Sequence, residues 1–226
     1  MAIGSTFNEL SKSVFKKIGI SIPEDINEQK RIAEVLSAFD EKIELNNKIS
    51  KNLEAIAQAI FKEWFVDFKF PGYEKAKSRS ERSSATGIKM VDSELGKIPE
   101  GWKVRYLGDE LYSEVIKPGI EEFKGEKIYL ATADVVRNEI INDKTKITFK
   151  KKPIRANAQP IFNSVWFAKM INTYKVLFFF EGIREDVEKY ILSTGFMGIK
   201  AFKGLQYYFY LFINSERFHK IKDTLV

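Results

Sequence analysis

The stretch INEQKRIAEVLSAFDEKIELNNKISKNLEAIAQAIFKEWF, residues 26–65, decides the fold because it contains neither glycine nor proline. Those two residues interrupt a helix more strongly than any others. The acidic pair Glu24–Asp25, directly before it, suits the positive end of a helix dipole. The stretch is therefore predicted to form one helix, which at about 1.5 Å per residue would extend roughly 55 Å from Glu28 to Phe65.

Apolar residues recur along this helix with the 4-3 spacing of a coiled coil, for more than four heptads. Eight of the ten positions in the series are apolar, which is typical of a helix that packs along a narrow seam. The polar Asn46 and Ser50 in its middle are residues of the kind that fix register at some cost in stability. A lone helix would leave this seam in water, so the pattern predicts a partner helix. The predicted helix-pairing residues are Ile32, Leu36, Phe39, Ile43, Asn46, Ser50, Leu53, Ala57, Ile60 and Trp64.

The composition changes on both sides of the helix. Before it, the run 18–22 alternates apolar and small residues as a strand does. After it, basic residues alternate with serine over 75–93, which predicts a linker. The remainder, 96–226, has short aromatic and β-branched runs that predict strands at 127–133, 164–170 and 175–180, with helices at 185–191 and 215–225. The predicted fold class is α+β, with a globular mixed domain attached to one long coiled-coil-forming α-helix.

The basic residues are concentrated in the second part of the chain. Up to Leu95, 15 Lys and Arg balance 15 Asp and Glu, whereas from Gly96 onward 22 basic residues face 16 acidic ones. A basic surplus confined to one domain favours a polyanionic partner, since each neutralised phosphate releases counterions. The sequence contains no cysteine, no apolar stretch that reaches the roughly 20 residues of a membrane span, and no signal pattern, so we expect a cytoplasmic protein without membrane contact.

Six segments, in order, resemble blocks of the specificity subunits of type I restriction-modification systems. Residues 22–36 are similar to the start of that family's spacer helix, and residues 40–47 and 61–68 to its middle and end. Residues 94–109 resemble the entry to a target-recognition domain. Arg155-Ala-Asn157 and 166–170 resemble internal blocks of one class of these domains.

The chain departs from this family in its organisation. The resemblance implies two recognition domains and two spacer helices, in about twice this length, where this chain has one of each. Residues 4–10 also resemble the segment that closes a recognition domain. We therefore expect a half-length, circularly permuted arrangement, which close domain termini tolerate. Its predicted divisions are a segment at 1–22 that completes the recognition domain and packs against it, the spacer helix at 23–70, a linker at 71–95 and the recognition domain at 96–226.

The resemblance implies a non-catalytic protein that gives a methyltransferase complex its DNA specificity. Its expected partners are double-stranded DNA, methyltransferase subunits and restriction subunits, together with a second copy paired through antiparallel spacer helices. Two such copies would recognise a bipartite site whose half-site spacing the helices set. S-adenosylmethionine, ATP and Mg²⁺ are expected on the partner subunits only. The sequence has no Asn-Pro-Pro or Asp-Pro-Pro motif and no G-x-x-x-x-G-K-[ST] phosphate loop, and we expect no metal site.

Base recognition requires side chains with paired donors and acceptors, such as Arg and Lys for guanine and Asn and Gln for adenine. A lysine run can contact phosphates, although it is more often only a solvated turn. The DNA-binding candidates of both kinds are Arg137, Asn138, Lys150, Lys151, Lys152, Arg155, Asn157, Gln159, Lys169, Asn172 and Lys175.

Two other functions remain open at this point. Glu122 and Lys124 have the spacing of a metal-dependent nuclease motif, with Asp109 as a second acid, although matches this short arise by chance. The second open function is that of a coiled-coil adaptor whose basic domain binds protein instead of DNA. His219, the only histidine, is expected to be a partly exposed residue of a helix rather than a catalyst, and the aromatic run 207–212 is expected to form core rather than to stack on bases.

Overall fold

The computed structural model describes residues 10–71, 89–182, 187–202 and 204–225. The chain divides into two units, Met1–Glu54 and Ala55–Val226. Helix α2, Ile26–Phe61, contains residues of both units. The predicted α+β class with one long helix is confirmed.

The first unit contains the short helix α1, Lys12–Phe15, and most of α2. The side chain of Asp25 accepts a hydrogen bond from the backbone amide of Asn27 at 2.9 Å, which satisfies a free donor at the start of α2. The strand predicted at 18–22 is wrong. These residues lie in no strand, and their isoleucines are exposed, because alternation alone does not supply the neighbouring strand that a sheet requires.

Helix α2 confirms the prediction of one long helix, with 36 residues. Its large apolar seam residues, from Ile32 to Ile60, are 41–63% exposed in the single chain. Val35, Ile49 and Ile56 lie beside the seam at spacings of 14 and seven residues, are also exposed, and widen the apolar stripe. The coiled-coil pairing itself stays a prediction.

The helix changes geometry at its end, where Lys62–Val66 form a π-helix. A π-helical turn contains more residues than an α-helical turn, so Trp64 does not continue the 4-3 line that ends at Ile60. Within the second unit, Phe61 is buried and its ring lies 5.3 Å from that of Tyr208. Phe65 contacts Tyr208 at 5.0 Å and Trp102 at 6.0 Å. These aromatic contacts fix the last turn of the helix within this unit.

The second unit is built around two four-stranded sheets. The strands are β1 Met90–Ser93, β2 Gly96–Pro99, β3 Ser113–Ile116, β4 Lys127–Leu130, β5 Val135–Val136, β6 Glu139–Ile140, β7 Lys146–Ile147, β8 Ala156–Ala158, β9 Ser164–Ala168, β10 Val176–Phe179, β11 Tyr190–Ser193 and β12 Phe196–Ala201. One sheet is antiparallel, in the order β10-β9-β12-β3, and the other is mixed, in the order β7-β4-β11-β8, with β4 and β11 parallel. Two further hairpins pair β1 with β2 and β5 with β6.

Alternating residues of the strands form separate parts of the core. In β9, Trp166 and Ala168 join a cluster that includes Leu130 and Leu192 of the mixed sheet. Val165, on the other face of β9, packs with residues of helices α3, Gln206–Ile213, and α4, Glu216–Thr224. The antiparallel sheet is therefore buried on both faces, as the continuous burial of β10 also indicates.

Most secondary structure predicted for this unit is confirmed, with one error. Strands β4, β9 and β10 and helix α4 lie where the sequence predicted them, and the run 207–212 is helical with Phe209 buried. The helix predicted at 185–191 is wrong in its described part, since 187–189 form a 3-10 turn and β11 begins at Tyr190. Burial of β11 between two neighbouring strands outweighs its local helical pattern.

Parts of the predicted domain organisation lie outside the described residues. These parts are 1–9, which include most of the predicted closing segment, and 72–88 of the predicted linker. The predicted boundary between 95 and 96 falls in the turn of the β1–β2 hairpin, whose register joins Ser93 to Gly96. The four divisions, and the packing of 1–22 on the recognition domain, stay predictions.

Candidate nucleic-acid interface

Strand register brings several predicted DNA-binding residues to one end of the two sheets. Strands β4 and β11 are parallel, so their carboxyl ends coincide, and the antiparallel β8 begins at that same end. In the other sheet, β9 ends where β10 and β12 begin. One end of the two sheets therefore gathers residues that are far apart in the sequence. These residues follow β4, β9 and β11 or precede β8, β10 and β12.

The turn Thr194–Gly195, between β11 and β12, joins the two sheets at this end. The amide of Thr194 donates to the carbonyl oxygen of Arg155 at 2.8 Å, and the amide of Lys169 donates to the carbonyl oxygen of Gly195 at 3.0 Å. Two candidate base readers, 14 residues apart in the chain, are thus held on either side of one turn. An added Cβ on Gly195 would lie 2.9 Å from the methyl carbon of Thr132, so the turn is closely packed there.

Lys175 and Arg137 lie at the same end. The ammonium of Lys175 donates to the carbonyl oxygen of Thr132 at 2.6 Å, and the amide of Val176 donates to the carbonyl oxygen of Arg137 at 2.7 Å. Arg137 has a positive φ of 53° in the turn of the β5–β6 hairpin, and its side chain is exposed. Asn138 follows it, with its amide 3.5 Å from the hydroxyl of Tyr210. We call the four cations Arg137, Arg155, Lys169 and Lys175, together with Thr194–Gly195, the basic end.

Among the acidic side chains near the basic end, those of Asp134 and Asp223 are engaged by donors, while Glu139 of the β5–β6 hairpin is exposed. Asp134 accepts from the amide of Ala131 at 2.7 Å and from the side chain of Asn142 at 2.6 Å. Asp223 forms an ion pair with Lys222 at 3.1 Å. The charge of Lys222 offsets that of Asp223, so this carboxylate opposes the binding of a phosphate less than a free one would, whereas Asp134 accepts from neutral amides and keeps its negative charge.

The β9–β10 loop, Lys169–Lys175, projects from the basic end and is held by helix α4. The buried ammonium of Lys222 donates to the carbonyl oxygens of Met170 at 2.6 Å and Thr173 at 3.1 Å. Asp223 accepts from the amide of Asn172 at 3.2 Å and lies 3.4 Å from the hydroxyl of Tyr174. Asn172, with a φ of 52°, keeps an exposed side chain.

Two pKa values are shifted where helix α4 contacts the β9–β10 loop. Burial lowers the pKa of His219, which is 3% exposed, and the charge of Lys222 lowers it further against the opposing effect of Asp223. For Asp223, burial alone would raise the pKa, but the hydrogen bond and charge of Lys222, with the donors of Asn172 and Tyr174, lower it overall. At neutral pH the contact therefore holds a neutral imidazole beside an ion pair.

Of the remaining predicted residues, Lys150, Lys151 and Gln159 are not brought to the basic end, whereas Lys152 and Asn157 lie next to Arg155. Lys150 and Lys151 follow β7, whose last residue pairs with the first residue of β4, so they lie toward the opposite end of the mixed sheet. Lys152 is partly buried, and its ammonium donates to the carbonyl oxygen of Ala156 at 3.2 Å. Asn157 lies within β8, and Gln159 follows that strand at its far end. That these side chains contact DNA stays a prediction.

The sequence reasoning missed several residues at or beside the basic end. Ile154, which precedes Arg155, is 96% exposed, and Met170 and Ile171 in the β9–β10 loop are 47% and 46% exposed. Exposed apolar side chains beside cations can contact thymine methyl groups. Their signal in the sequence was weak, because an isolated apolar residue in a loop is ordinary. Lys222 gave no signal, since its burial depends on residues about 50 positions earlier.

The residues of the alternative nuclease motif are either engaged in local contacts or exposed. Asp109 accepts from the amide of Leu111 at 3.0 Å and faces Arg105 at 3.9 Å, while Glu122 and Lys124 are exposed. Among the described residues, no three His, Cys, Asp or Glu side chains are grouped as a metal ion would require. His219 lies in helix α4, as expected, but the expectation that it is partly exposed is wrong: it is 3% exposed because its ring packs 4.5 Å from that of Tyr174. Within the part of the chain that the structure describes, no helix has the length and apolarity to cross a bilayer.

Comparison with known proteins identifies relatives for much of the chain. Residues 1–55 match the family model described as "Type I restriction modification DNA specificity domain". A specificity subunit of Methanocaldococcus jannaschii, that of type I restriction enzyme MjaIX, is 42% identical over 112 residues, 49% of this chain and 23% of the relative. The specificity subunit of type I restriction enzyme HindI from Haemophilus influenzae is 37% identical over 97 residues, 42% of this chain and 21% of the relative.

A longer match has lower identity. The specificity subunit of type I restriction enzyme MjaVIII, also from M. jannaschii, is 26% identical over 167 residues, 67% of this chain and 35% of the relative. The chain thus spans between about a fifth and about a third of the length of these relatives.

Proposed function

Because the chain is a relative of type I restriction-modification specificity subunits, we propose that it gives a DNA methyltransferase complex its sequence specificity and has no catalytic site of its own. In this proposal residues 96–226 read one half of a bipartite site in double-stranded DNA. The observation that carries the proposal is the basic end, where Arg155 and Lys169 are hydrogen-bonded to the two residues of one turn.

The arrangement suits duplex DNA better than a protein partner. Arginine and lysine can each donate two hydrogen bonds to the O6 and N7 atoms of guanine in the major groove. Arg137, Arg155 and Lys169 are exposed. The nearby Asn172 is also exposed and carries the amide that pairs with adenine. Lys150 and Lys151, toward the opposite end of the mixed sheet, are proposed to contact phosphates and to fix the position of the domain on the duplex.

We further propose that α2 sets the distance between half-sites. Two copies would pair their exposed seams as antiparallel helices, so that a two-fold axis places one recognition domain at each end. A stripe widened by Val35, Ile49 and Ile56 offers more apolar area to a partner than the seam alone. The helix pair would also dock the methyltransferase subunits, which would bind S-adenosylmethionine, while restriction subunits would use ATP and Mg²⁺.

Methylome mapping tests this function directly. The chain is expressed with its methyltransferase subunits in a host that lacks other adenine methyltransferases, and modified adenines are located by long-read sequencing. We expect methylation confined to one bipartite motif with inverted half-sites, and no methylation when the chain is omitted. Methylation without a motif, or a motif that persists without this chain, would show that the specificity lies elsewhere.

A further inference from the structure

We propose that Lys222 and Asp223 of α4 are positioning residues for base recognition, because they hold the β9–β10 loop in the one conformation that presents Lys169 and Asn172 to DNA. This inference rests on the proposed function and concerns residues that do not themselves reach DNA. It assigns a specificity role to a buried lysine and a partly buried aspartate in the last turn of α4.

The contacts converge on the loop from one side. Lys222 donates to the carbonyl oxygens of Met170 and Thr173, and a third oxygen, that of Ala168, lies 3.5 Å away. Asp223 accepts from the amide of Asn172, between those two carbonyls in the chain. One pair of charged side chains thus binds the backbone at residue 168, the end of β9, and at residues 170, 172 and 173 of the loop.

Burial makes these contacts strong. Lys222 is 7% exposed and Asp223 is partly buried, so water competes little for their hydrogen bonds. The ammonium has three donors, and the structure gives it three carbonyl oxygens and a carboxylate oxygen. The two ends of the loop have backbone hydrogen bonds, from the amide of Lys169 to Gly195 and from the amide of Ala168 to the carbonyl oxygen of Lys175. Between these ends, the backbone groups at 170, 172 and 173 are bonded to the side chains of Lys222 and Asp223, which limit the motion of that middle segment.

The exposed parts of the loop are those that a base reader needs. Met170, Ile171 and Asn172 are exposed while the carbonyl oxygens of 170 and 173 turn inward to Lys222. The positive φ of Asn172, 52°, is one that asparagine tolerates better than most residues other than glycine, so this backbone conformation suits the residue at its position. Displacement of a base-contacting side chain by about 1 Å is enough to break a bidentate hydrogen bond, whereas a phosphate contact tolerates it.

The decisive variant is Lys222→Met, which keeps the length and the apolar stem of the side chain and removes its donors. Its matched control is Lys220→Met, two residues earlier on the same helix, where the lysine side chain is 79% exposed and forms an ion pair with Glu216 at 3.8 Å. Each variant replaces the wild-type chain in the methylome assay. Affinity for a random-sequence duplex is measured in parallel against salt concentration, and folding is checked by circular dichroism at the assay temperature.

We expect Lys222→Met to relax the motif at neighbouring positions of each half-site, with discrimination reduced about fivefold or more. Its affinity for random duplex and its salt slope should equal those of wild type and of Lys220→Met. A merely structural role would instead lower binding to all sequences in proportion to the unfolded fraction. If Lys222→Met does not fold, Asp223→Asn, which retains an acceptor for Asn172 but loses the ion pair, is expected to relax the same positions.

The outcomes separate the two proposals. A wild-type chain that directs methylation to no motif would overturn the proposed function and this inference with it. A wild-type motif that Lys222→Met, or the folded Asp223→Asn, preserves at full depth would overturn only the inference. The proposed function would then stand, with a β9–β10 loop that needs no support from α4.

Discussion

Gly198 of β12 lies directly against the indole of Trp166 on the neighbouring strand β9, so closely that an added Cβ would come within 2.5 Å of ring carbons Cε2 and Cζ2. Trp166 is 1% exposed, and its Nε1 donates to the hydroxyl of Ser164 at 2.9 Å. The indole is therefore fixed by a hydrogen bond as well as by packing. Glycine at 198 is required by this contact between side chain and backbone.

This contact predicts a large effect of a small substitution. Gly198→Ala should destabilise the second unit by about 1–3 kcal/mol, because the ring or the strand must shift to admit the methyl group. Urea denaturation followed by tryptophan fluorescence measures the change. Gly108→Ala is the control, since an added Cβ there meets nothing within 4 Å. Equal stability of both variants would mean that the core around Trp166 is loosely packed.

The seam of α2 predicts self-association. Leu36→Glu removes a Leu burial of about 1.5–3 kcal/mol in each chain, so a symmetric dimer, which loses two, should weaken at least about 100-fold. Sedimentation equilibrium measures the dissociation constant. Ser37→Glu adds the same charge one residue later, outside the seam, and should leave association unchanged. A wild-type chain that stays monomeric at micromolar concentration would remove the basis for helix pairing between two copies.

The basic end and the lysine turn predict different effects on DNA binding. Arg155→Ala should cost about 1–3 kcal/mol on the preferred sequence and relax one base position. Lys150→Ala combined with Lys151→Ala should weaken all duplexes alike and reduce the salt slope by about one for each phosphate that is no longer neutralised. Fluorescence anisotropy against salt measures both effects. The assignments would be reversed if the arginine variant bound all sequences more weakly and the lysine variant bound them less selectively.

His219 predicts a loss of stability in mild acid. Its pKa is lowered in the folded chain, so between that value and the ordinary 6.5 the unfolded chain binds more protons. Stability should therefore be highest above about pH 6.5, fall as the pH decreases below it, and level off below the folded pKa. Because His219 is the only histidine, His219→Leu should flatten this dependence. Urea unfolding from pH 7.5 to 5 measures it, and a stability that rises on acidification contradicts the assignment.

Asp223 acts in a separate pH window. The pKa of Asp223 is lowered below the usual 3.8 in the folded chain. Its contribution to the free energy of unfolding is therefore complete above about pH 3.8 and is lost as the pH falls from there through the lower, folded pKa. The pH dependence between 7.5 and 5 is thus free of this carboxylate. The two groups of the α4 contact can be distinguished by titration even though they are four residues apart on one helix.

Much of the fold could be predicted because its signals are local. The exposed α2 and the strands β4, β9 and β10 were predicted where composition and spacing pointed to them. The strand predicted at 18–22 and the helix predicted at 185–191 failed for a common reason. Both depended on whether a neighbouring strand was present, and neither alternation nor helical periodicity contains that information. The π-helix Lys62–Val66 likewise followed from aromatic packing rather than from spacing.

The sequence by itself determined the long helix, because helical hydrogen bonds join residues four apart and 26–61 contain nothing that interrupts them. It also determined that the basic surplus lies in the second part of the chain. Only the tertiary structure decided which basic residues lie at the same end of the sheets. Arg155 and Lys169 meet at Thr194–Gly195, and Lys222 reaches Met170, through contacts of 26 to 52 residues in sequence separation. Strand register and the burial of α4 set those contacts, and both are properties of the assembled sheets rather than of any segment.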